Sequence, residues 1–280
     1  MPEAPEVARI VDQLEDNIKN FVISDMKIIS GRYLKHGEPE GYSAFKNMSE
    51  KLKISRVSCK GKFIWFSFVS LDGTNSNWSI WNTLGMTGSW SARKMAHSRV
   101  MFCLTTESGL SSEVYFNDIR NFGTLKFSSN SQDLKEKLNN LGLDILKDTI
   151  SQKSFHDLLV KGGGKTLPEF LMSQENLCGV GNYIKSEALY LSGISPNRLC
   201  NSLSQIESEK LLNSVIKIAK ESYKSGGSTI KTYQDFYGNS GEFSSNFLVY
   251  GNALDPLGNK VERMTTKDKR TTFWVPSLQR

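Results

Sequence analysis

The spacing of apolar residues changes near residue 131, and that change constrains the fold more than any other feature. Before it, ISRVSCKGKFIWFSFV alternates apolar and polar residues around a KGK turn, and RVMFCL, EVYFND and NWSIWNTLGMTGSW are further short strand-like runs. Several such strands between turns indicate a sandwich or a barrel. After it, LKEKLNNLGLDIL, SQKSFHDLLV, LPEFLMSQENL and SQIESEKLLNSVIKIAKESY carry a helical period, the last with Leu211, Leu212, Val215, Ile216 and Ala219 on one face. The final 35 residues return to strand character through VYG and RTTFWV. The expected architecture is α+β and multidomain, with an N-terminal β-sandwich flanked by helices, a helical C-terminal part and a closing β-hairpin. The expected boundaries are 1–130 for the β-rich domain, 131–150 for a linker, 151–245 for the helical domain and 246–280 for the hairpin.

Ahead of the strands lies MPEAPEV. Val7, Ile10, Val11, Leu14 and Ile18 recur at helical spacing, Pro5 suits a first turn, and Glu3 and Glu6 complement the positive end of a helix. This accounts for a helix, but not for a helix that begins at the first residues, where chains are usually loose.

Hydrophobic content of 38% and charged content of 23% are those of an ordinary globular protein. No apolar run approaches the roughly 18 residues of a membrane span, and an acidic, helical start is unlike a secretory signal. An intracellular protein without membrane contact is expected, in either nucleus or cytoplasm. Lysine and arginine outnumber acids 35 to 29, a net charge of +6 that leans toward a polyanionic partner. The end of the chain is more basic: Lys260, Arg263, Lys267, Lys269, Arg270 and Arg280 stand against Glu262 and Asp268. Phe273, Trp274 and Val275 interrupt this segment, which favours a folded hairpin over a free tail. The four cysteines, at 59, 103, 178 and 200, include no CxxC pair. No structural metal, no disulfide and no cofactor are expected, and Cys59 and Cys103 read as buried thiols within strands.

Residues 178–195, CGVGNYIKSEALYLSGIS, place Gly179 and Gly181 just before a helix opened by Asn182. Free N–H groups at such a start can receive a phosphate, although GxG by itself is a weak signal. Taken with other stretches it becomes specific. MPEAPEV, CKGKF, LGMTGSW, NDIRNFG, CGVGNYIKSEALYLSGISPNR, GGSTIKTY and FLVYGN occur in the order of the motifs of the formamidopyrimidine-DNA glycosylase and endonuclease VIII family. The chain resembles that family nearly from end to end.

The resemblance implies a helix–two-turn–helix DNA-binding domain and a bifunctional DNA glycosylase/AP lyase of base excision repair. Family members commonly end in a four-cysteine zinc finger. Here Leu257, Val275 and Leu278 fall at or near the cysteine positions, as in the zincless fingers of endonuclease VIII-like members, so Trp274 and Val275 are expected to hold the hairpin by apolar packing. That likeness favours oxidised pyrimidines and hydantoins as substrates, with specificity set by a loop from about Thr229 to Phe243.

Pro2 corresponds to the family's nucleophile. After removal of Met1 it carries a terminal secondary amine, and α-amines titrate near about 7.7–8.0. An iminium formed on it cannot shed a nitrogen proton, so it persists as an electron sink. Glu3 is the implied general acid/base, Lys62 the lysine that contacts phosphate and assists β-elimination, and Arg270 the finger arginine that grips phosphate and supports δ-elimination. Glu6 is a weaker second carboxylate.

Extruding a base leaves a void, and Met86, Arg120 and Phe122 match the family's void-filling residues. By themselves Met86 and Phe122 read as core packing. Lys60, His97, Lys165 and Asn182, the last with its neighbouring amides, match backbone contacts. Damaged DNA is the expected partner of a monomeric enzyme. Two competing readings are a catalytically inactive lesion- or single-strand-binding protein and, more remotely, N-terminal-proline chemistry on a small carbonyl compound.

Overall fold

The computed structural model describes residues 2–228 and 233–280, which form two compact units. The first contains Pro2, Glu6–Asn140 and 233–241; the second contains Glu3–Pro5, Leu141–Ser228 and Glu242–Arg280.

Helix α1 (Ala4–Ile18) buries Val7, Ile10, Val11, Leu14 and Ile18, as its apolar spacing requires. Strands β1 (Val22–Ile28), β2 (Leu52–Lys60), β3 (Phe63–Ser70), β4 (Asn75–Thr83), β5 (Gly88–Ser91), β6 (Ser98–Thr105), β7 (Ser111–Asp118) and β8 (Thr124–Ser128) form one antiparallel ladder, ordered β5-β7-β6-β1-β2-β3-β4-β8. Register shifts at Ile23/Asp25, Ile54/Arg56, Ser67/Val69 and Ser98/Val100 increase its twist. The ladder therefore curls over its own core. Trp90 on β5, at one end of the ladder, donates from Nε1 to Asn82 Oδ1 on β4, near the other end, at 3.0 Å. The Trp90 ring packs 5.3–5.4 Å from Phe66, Phe102 and Phe116. The two ends of one sheet thus make the two faces of the sandwich. Each fully buried aromatic there contributes roughly 1.5–3 kcal/mol. The short helices α2 (Arg32–His36) and α3 (Tyr42–Lys46) lie between β1 and β2 in the chain. After β8, α4 (Ser131–Asn139) starts at Asn130, whose side chain accepts from Gln132 N.

The second unit opens differently from the helix expected across 134–146. That helix ends at Asn139, and β9 (Leu143–Asp144) pairs in parallel with β10 (Leu177–Cys178). Gly142 breaks the period, because its backbone lies directly against the Asn176 carbonyl, where no side chain fits. Helix α5 (Gln152–Gly162) is followed by α6 (Leu167–Met172), which stops short of the helical reading through Leu177. Then come α7 (Asn182–Ser192) and α8 (Gln205–Lys224). On α8 the buried stripe is Leu211, Leu212, Val215, Ile218 and Ala219, and the expected Ile216 is only half-buried. Ile218 completes the i, i+3, i+4, i+7 pattern from Leu211 that Ile216 misses. Ser204 and Glu207 form a capping box at its start.

The chain closes in the hairpin β11 (Glu262–Thr265) and β12 (Thr271–Trp274). Val249, Val261 and Val275 form its buried centre, with Tyr190 and Phe273 packed against it. Trp274 is half-buried, outside that cluster, and its indole N–H has no acceptor among the described residues, so the packing rests on Val275 rather than on both residues. Gln279 closes the end, accepting from Val275 N at 2.6 Å and donating to Ile194 O at 2.9 Å. Among the described residues no three His, Cys, Asp or Glu side chains converge as a metal set. Cys59, Cys178 and Cys200 are buried, and Cys103 is half-buried rather than buried. No helix among the described residues is long and apolar enough to cross a membrane.

Candidate active site and nucleic-acid interface

In the second unit the two informative stretches of the sequence meet. Helix α7 begins after Gly181, which offers no capping side chain. Glu3 supplies the missing cap from the other end of the chain: its Oε1 accepts from Tyr183 N at 2.9 Å and its Oε2 from Ile184 N at 3.3 Å. Ala4 N donates to Gly179 O at 3.1 Å and fixes the approach. Glu3 is only 2% exposed. Gly181 has an ordinary extended φ of −129°, so its need for glycine is steric: a Cβ there would overlap the Glu3 carboxyl group. The acidic start of α1 therefore complements the dipole of α7, not only that of its own helix. The expected phosphate cradle of Asn182 and neighbouring amides changes accordingly, since the Tyr183 and Ile184 amides are already taken by a carboxylate.

The hairpin packs on the same helix. Asn182 Nδ2 donates to Thr271 O at 2.8 Å, and Phe273 N donates to Ser186 Oγ at 3.3 Å. Lys185, fully buried, pairs with Asp268 at 2.8 Å. Burial pushes the Lys185 ammonium below the usual lysine range, while Asp268 and Glu3 draw it back up and Arg270 lowers it further. Arg270 is exposed at the tip of the hairpin, two residues after Asp268. Glu187, also fully buried, accepts from the amides of Leu248, Val249 and Tyr250 at 2.7–2.9 Å. Burial pushes its carboxyl up, against the pull of those amides. Lys165 is exposed in the turn after α5.

Pro2, which directly precedes Glu3, is buried and belongs with the first unit. Lys62 is half-buried in the β2–β3 turn, where Gly61 takes a φ of 56°. The Lys60 ammonium donates to Leu138 O in the last turn of α4 at 3.1 Å, which ties part of its donor capacity to the protein. Met86, Arg120 and Phe122 converge: Arg120 Nη1 lies 3.1 Å from Met86 Sδ, and its guanidinium sits 4.9 Å from the Phe122 ring centre. Phe122 is 53% exposed and Met86 half-buried, so the core-packing reading of these two is overturned. Gly85, at φ 59°, lets the LGMTG turn press on the Phe122–Gly123 backbone. His97 is exposed, with Nδ1 3.4 Å from Arg99 Nη2.

Several supports of these residues were not singled out in the sequence. Asp118 accepts from Thr87 Oγ1 and from the amides of Arg120 and Gly123, while Arg99 donates to the carbonyls of Asp118 and Ile119. An aspartate that starts a loop and can bond the amide two residues on is a turn signal that could have marked Asp118. A charge within an apolar helix is the signal that could have marked Lys185. In the loop expected to read the lesion, Thr229, Ile230, Lys231 and Thr232 lie outside the described residues. The following turn is anchored in the first unit, where Gln13 bonds to Asp235 Oδ2 at 2.8 Å and to Phe236 N at 2.9 Å.

Comparison with known proteins divides the chain into three consecutive domains. Residues 1–125 match the formamidopyrimidine-DNA glycosylase N-terminal domain, 141–234 its H2TH domain and 237–280 its C-terminal domain. The chain is 30% identical over 289 residues to the formamidopyrimidine-DNA glycosylase of Wolbachia pipientis subsp. Culex pipiens, covering all of both. The fold is similar to that of the MutM (Fpg) protein of Thermus thermophilus, with 26% identity, 99% and 98% of the two chains covered and a TM-score of 0.82. It is also similar to that of Lactococcus lactis Fpg in complex with DNA containing an abasic site, with 24% identity, 99% of each chain covered and a TM-score of 0.83. The chain belongs to the formamidopyrimidine-DNA glycosylase family.

Proposed function

We propose that this protein is a bifunctional DNA glycosylase/AP lyase that excises oxidised bases, with oxidised pyrimidines and hydantoins preferred, and then cuts the strand by β,δ-elimination. With Met1 removed, the Pro2 nitrogen attacks C1′ of the damaged nucleotide and the base departs with the electrons of its glycosidic bond, while Glu3 protonates the ring oxygen and the C1′–O4′ bond opens. The iminium that results draws electrons from the sugar. Loss of the C2′ proton expels the 3′ phosphate, and a second elimination expels the 5′ phosphate. Lys62 and Arg270 are assigned to the flanking phosphates and to the two eliminations. Met86, Arg120 and Phe122 fill the void left by the extruded base, and Lys60, His97, Lys165 and Asn182 contact the backbone as a monomer binds.

The observation that carries this reading is the anchoring of Glu3, one residue from Pro2, on the Tyr183 and Ile184 amides. A carboxylate oxygen can accept more than one hydrogen bond, so anchoring on the two amides fixes Glu3 in place and is compatible with its moving a proton. The hairpin supports a metal-free finger of the endonuclease VIII-like kind, since its centre is built from Val249, Val261 and Val275. The test is borohydride trapping on duplexes with defined lesions, together with the mass of the mature protein. A covalent adduct on a chain that begins at Pro2 is expected, and it should be lost or slowed in Pro2→Gly. No adduct on any lesion, or an active form that retains Met1, would refute the proposal.

A further inference from the structure

The turn that carries Arg270 is held from below by a pair of charges with almost no contact to solvent. Lys185 projects from α7 with a side chain 0% exposed, and the Asp268 side chain it meets at 2.8 Å is 6% exposed. The second oxygen of Asp268 accepts from Thr266 Oγ1. Thr266 in turn holds Arg270 by its backbone, with N donating to Arg270 O at 3.0 Å. Lys269 takes a left-handed φ of 60° between them, a conformation that needs outside restraint in a residue with a side chain. On the far side of Arg270, α7 binds Thr271 O through Asn182 and Phe273 N through Ser186. One helix thus grips residues 268, 271 and 273, and the exposed arginine sits in the gap.

A buried ion pair contributes little net stability compared with an apolar pair of equal volume, because both charges must leave water. Its effect here is geometric. The charges also lie among the site's own: Glu3 and Arg270 both act on the Lys185 ammonium. We propose that Lys185 is a positioning residue, which through Asp268 sets the height of the 266–270 turn over α7 and so directs the Arg270 guanidinium to a DNA phosphate. The proposal rests on the reading of Arg270 as a phosphate contact.

The test uses the full chain and a duplex containing a tetrahydrofuran abasic analogue, with affinity measured across a salt series. Asp268→Asn is the decisive variant. It keeps volume and raises net charge, so bulk electrostatics alone would tighten DNA binding. Positioning instead requires about a tenfold loss at fixed salt and a salt slope shallower by about one phosphate contact. Arg270→Ala should show the same slope, and the double variant Asp268→Asn/Arg270→Ala should bind no worse than Arg270→Ala. The apolar pair Lys185→Met/Asp268→Leu should melt near the wild type yet keep the shallow slope, which separates positioning from folding. Wild-type affinity and slope in Asp268→Asn, with a reduced slope in Arg270→Ala, overturn the proposal. A wild-type slope in Arg270→Ala overturns the reading beneath it.

Discussion

Gly181 has no room for a side chain because the Glu3 carboxyl group fills the place its Cβ would take. The second glycine of CGVGN is therefore a steric requirement of the third residue of the chain. Gly181→Ala should displace Glu3 from the α7 amides, and a misplacement of about 1 Å at a reacting group can cost on the order of 100-fold in rate. Single-turnover excision measures that loss. Melting of Gly181→Ala alone and in a Glu3→Ala background checks its origin, since the destabilisation should largely vanish once the Glu3 side chain is gone.

Glu3→Gln should abolish base removal while leaving affinity for abasic-analogue DNA within a few-fold. It also replaces an acceptor-only carboxylate with a neutral amide, so both α7 amides lose a charged partner and one of them loses its acceptor. A destabilisation of about 1–2 kcal/mol is expected by chemical denaturation. Normal cleavage of lesion DNA by this variant would remove Glu3 from the chemistry.

Arg270→Ala leaves the hairpin backbone intact, since its guanidinium is exposed. Its binding should weaken and depend less on salt, with the slope of log K against log salt falling by about one contact. Filter binding or anisotropy at four or more salt concentrations gives the answer, and an unchanged slope excludes a phosphate contact.

The hairpin should respond to packing and not to chelation. Val275 is 1% exposed within its apolar cluster, and Val275→Ala should destabilise the protein by about 1–3 kcal/mol. EDTA should leave the melting temperature and lesion cleavage of the wild type unchanged. A chelator-sensitive melt would contradict a metal-free finger.

Acid stability should depend on the start of α8. Arg198, with the Ser204 amide, pulls the Glu207 carboxyl from 4.5 down to about 2. A depressed folded-state value means that the stabilisation is present in full above the unfolded pKa and fades as pH falls from about 4.5 toward 2. The pair is about one-third exposed, so screening limits the effect to about 1 kcal/mol. Denaturation midpoints of wild type and Glu207→Gln should differ at pH 6 and converge near pH 2; a constant difference would remove this pair as the cause.

Much of the architecture is written in local spacing. The α1 stripe, the alternation through β2 and β3 and the glycine-bounded start of α7 each depend on residues a few positions apart; the stripe and the α7 start are found in the structure, and the alternation is found with interruptions, including register shifts at Ile54/Arg56 and Ser67/Val69. The departures have causes distant in sequence. Gly142 ends a helix that the leucine spacing alone would continue, and Ile218 rather than Ile216 faces the core because the contact partners of α8 set which side is buried.

The order of the family motifs, the candidate nucleophile and acid, and the absence of paired cysteines were legible from the chain alone, because they are properties of residue identity. Which partner each charge would find was not. Glu3 meets amides some 180 residues away, Lys185 meets Asp268 across 83 positions, and Phe122 stands exposed beside Arg120 instead of joining the core. Such pairings follow from the path of the backbone in space, and burial then fixes their strength by removing the water that would otherwise screen them.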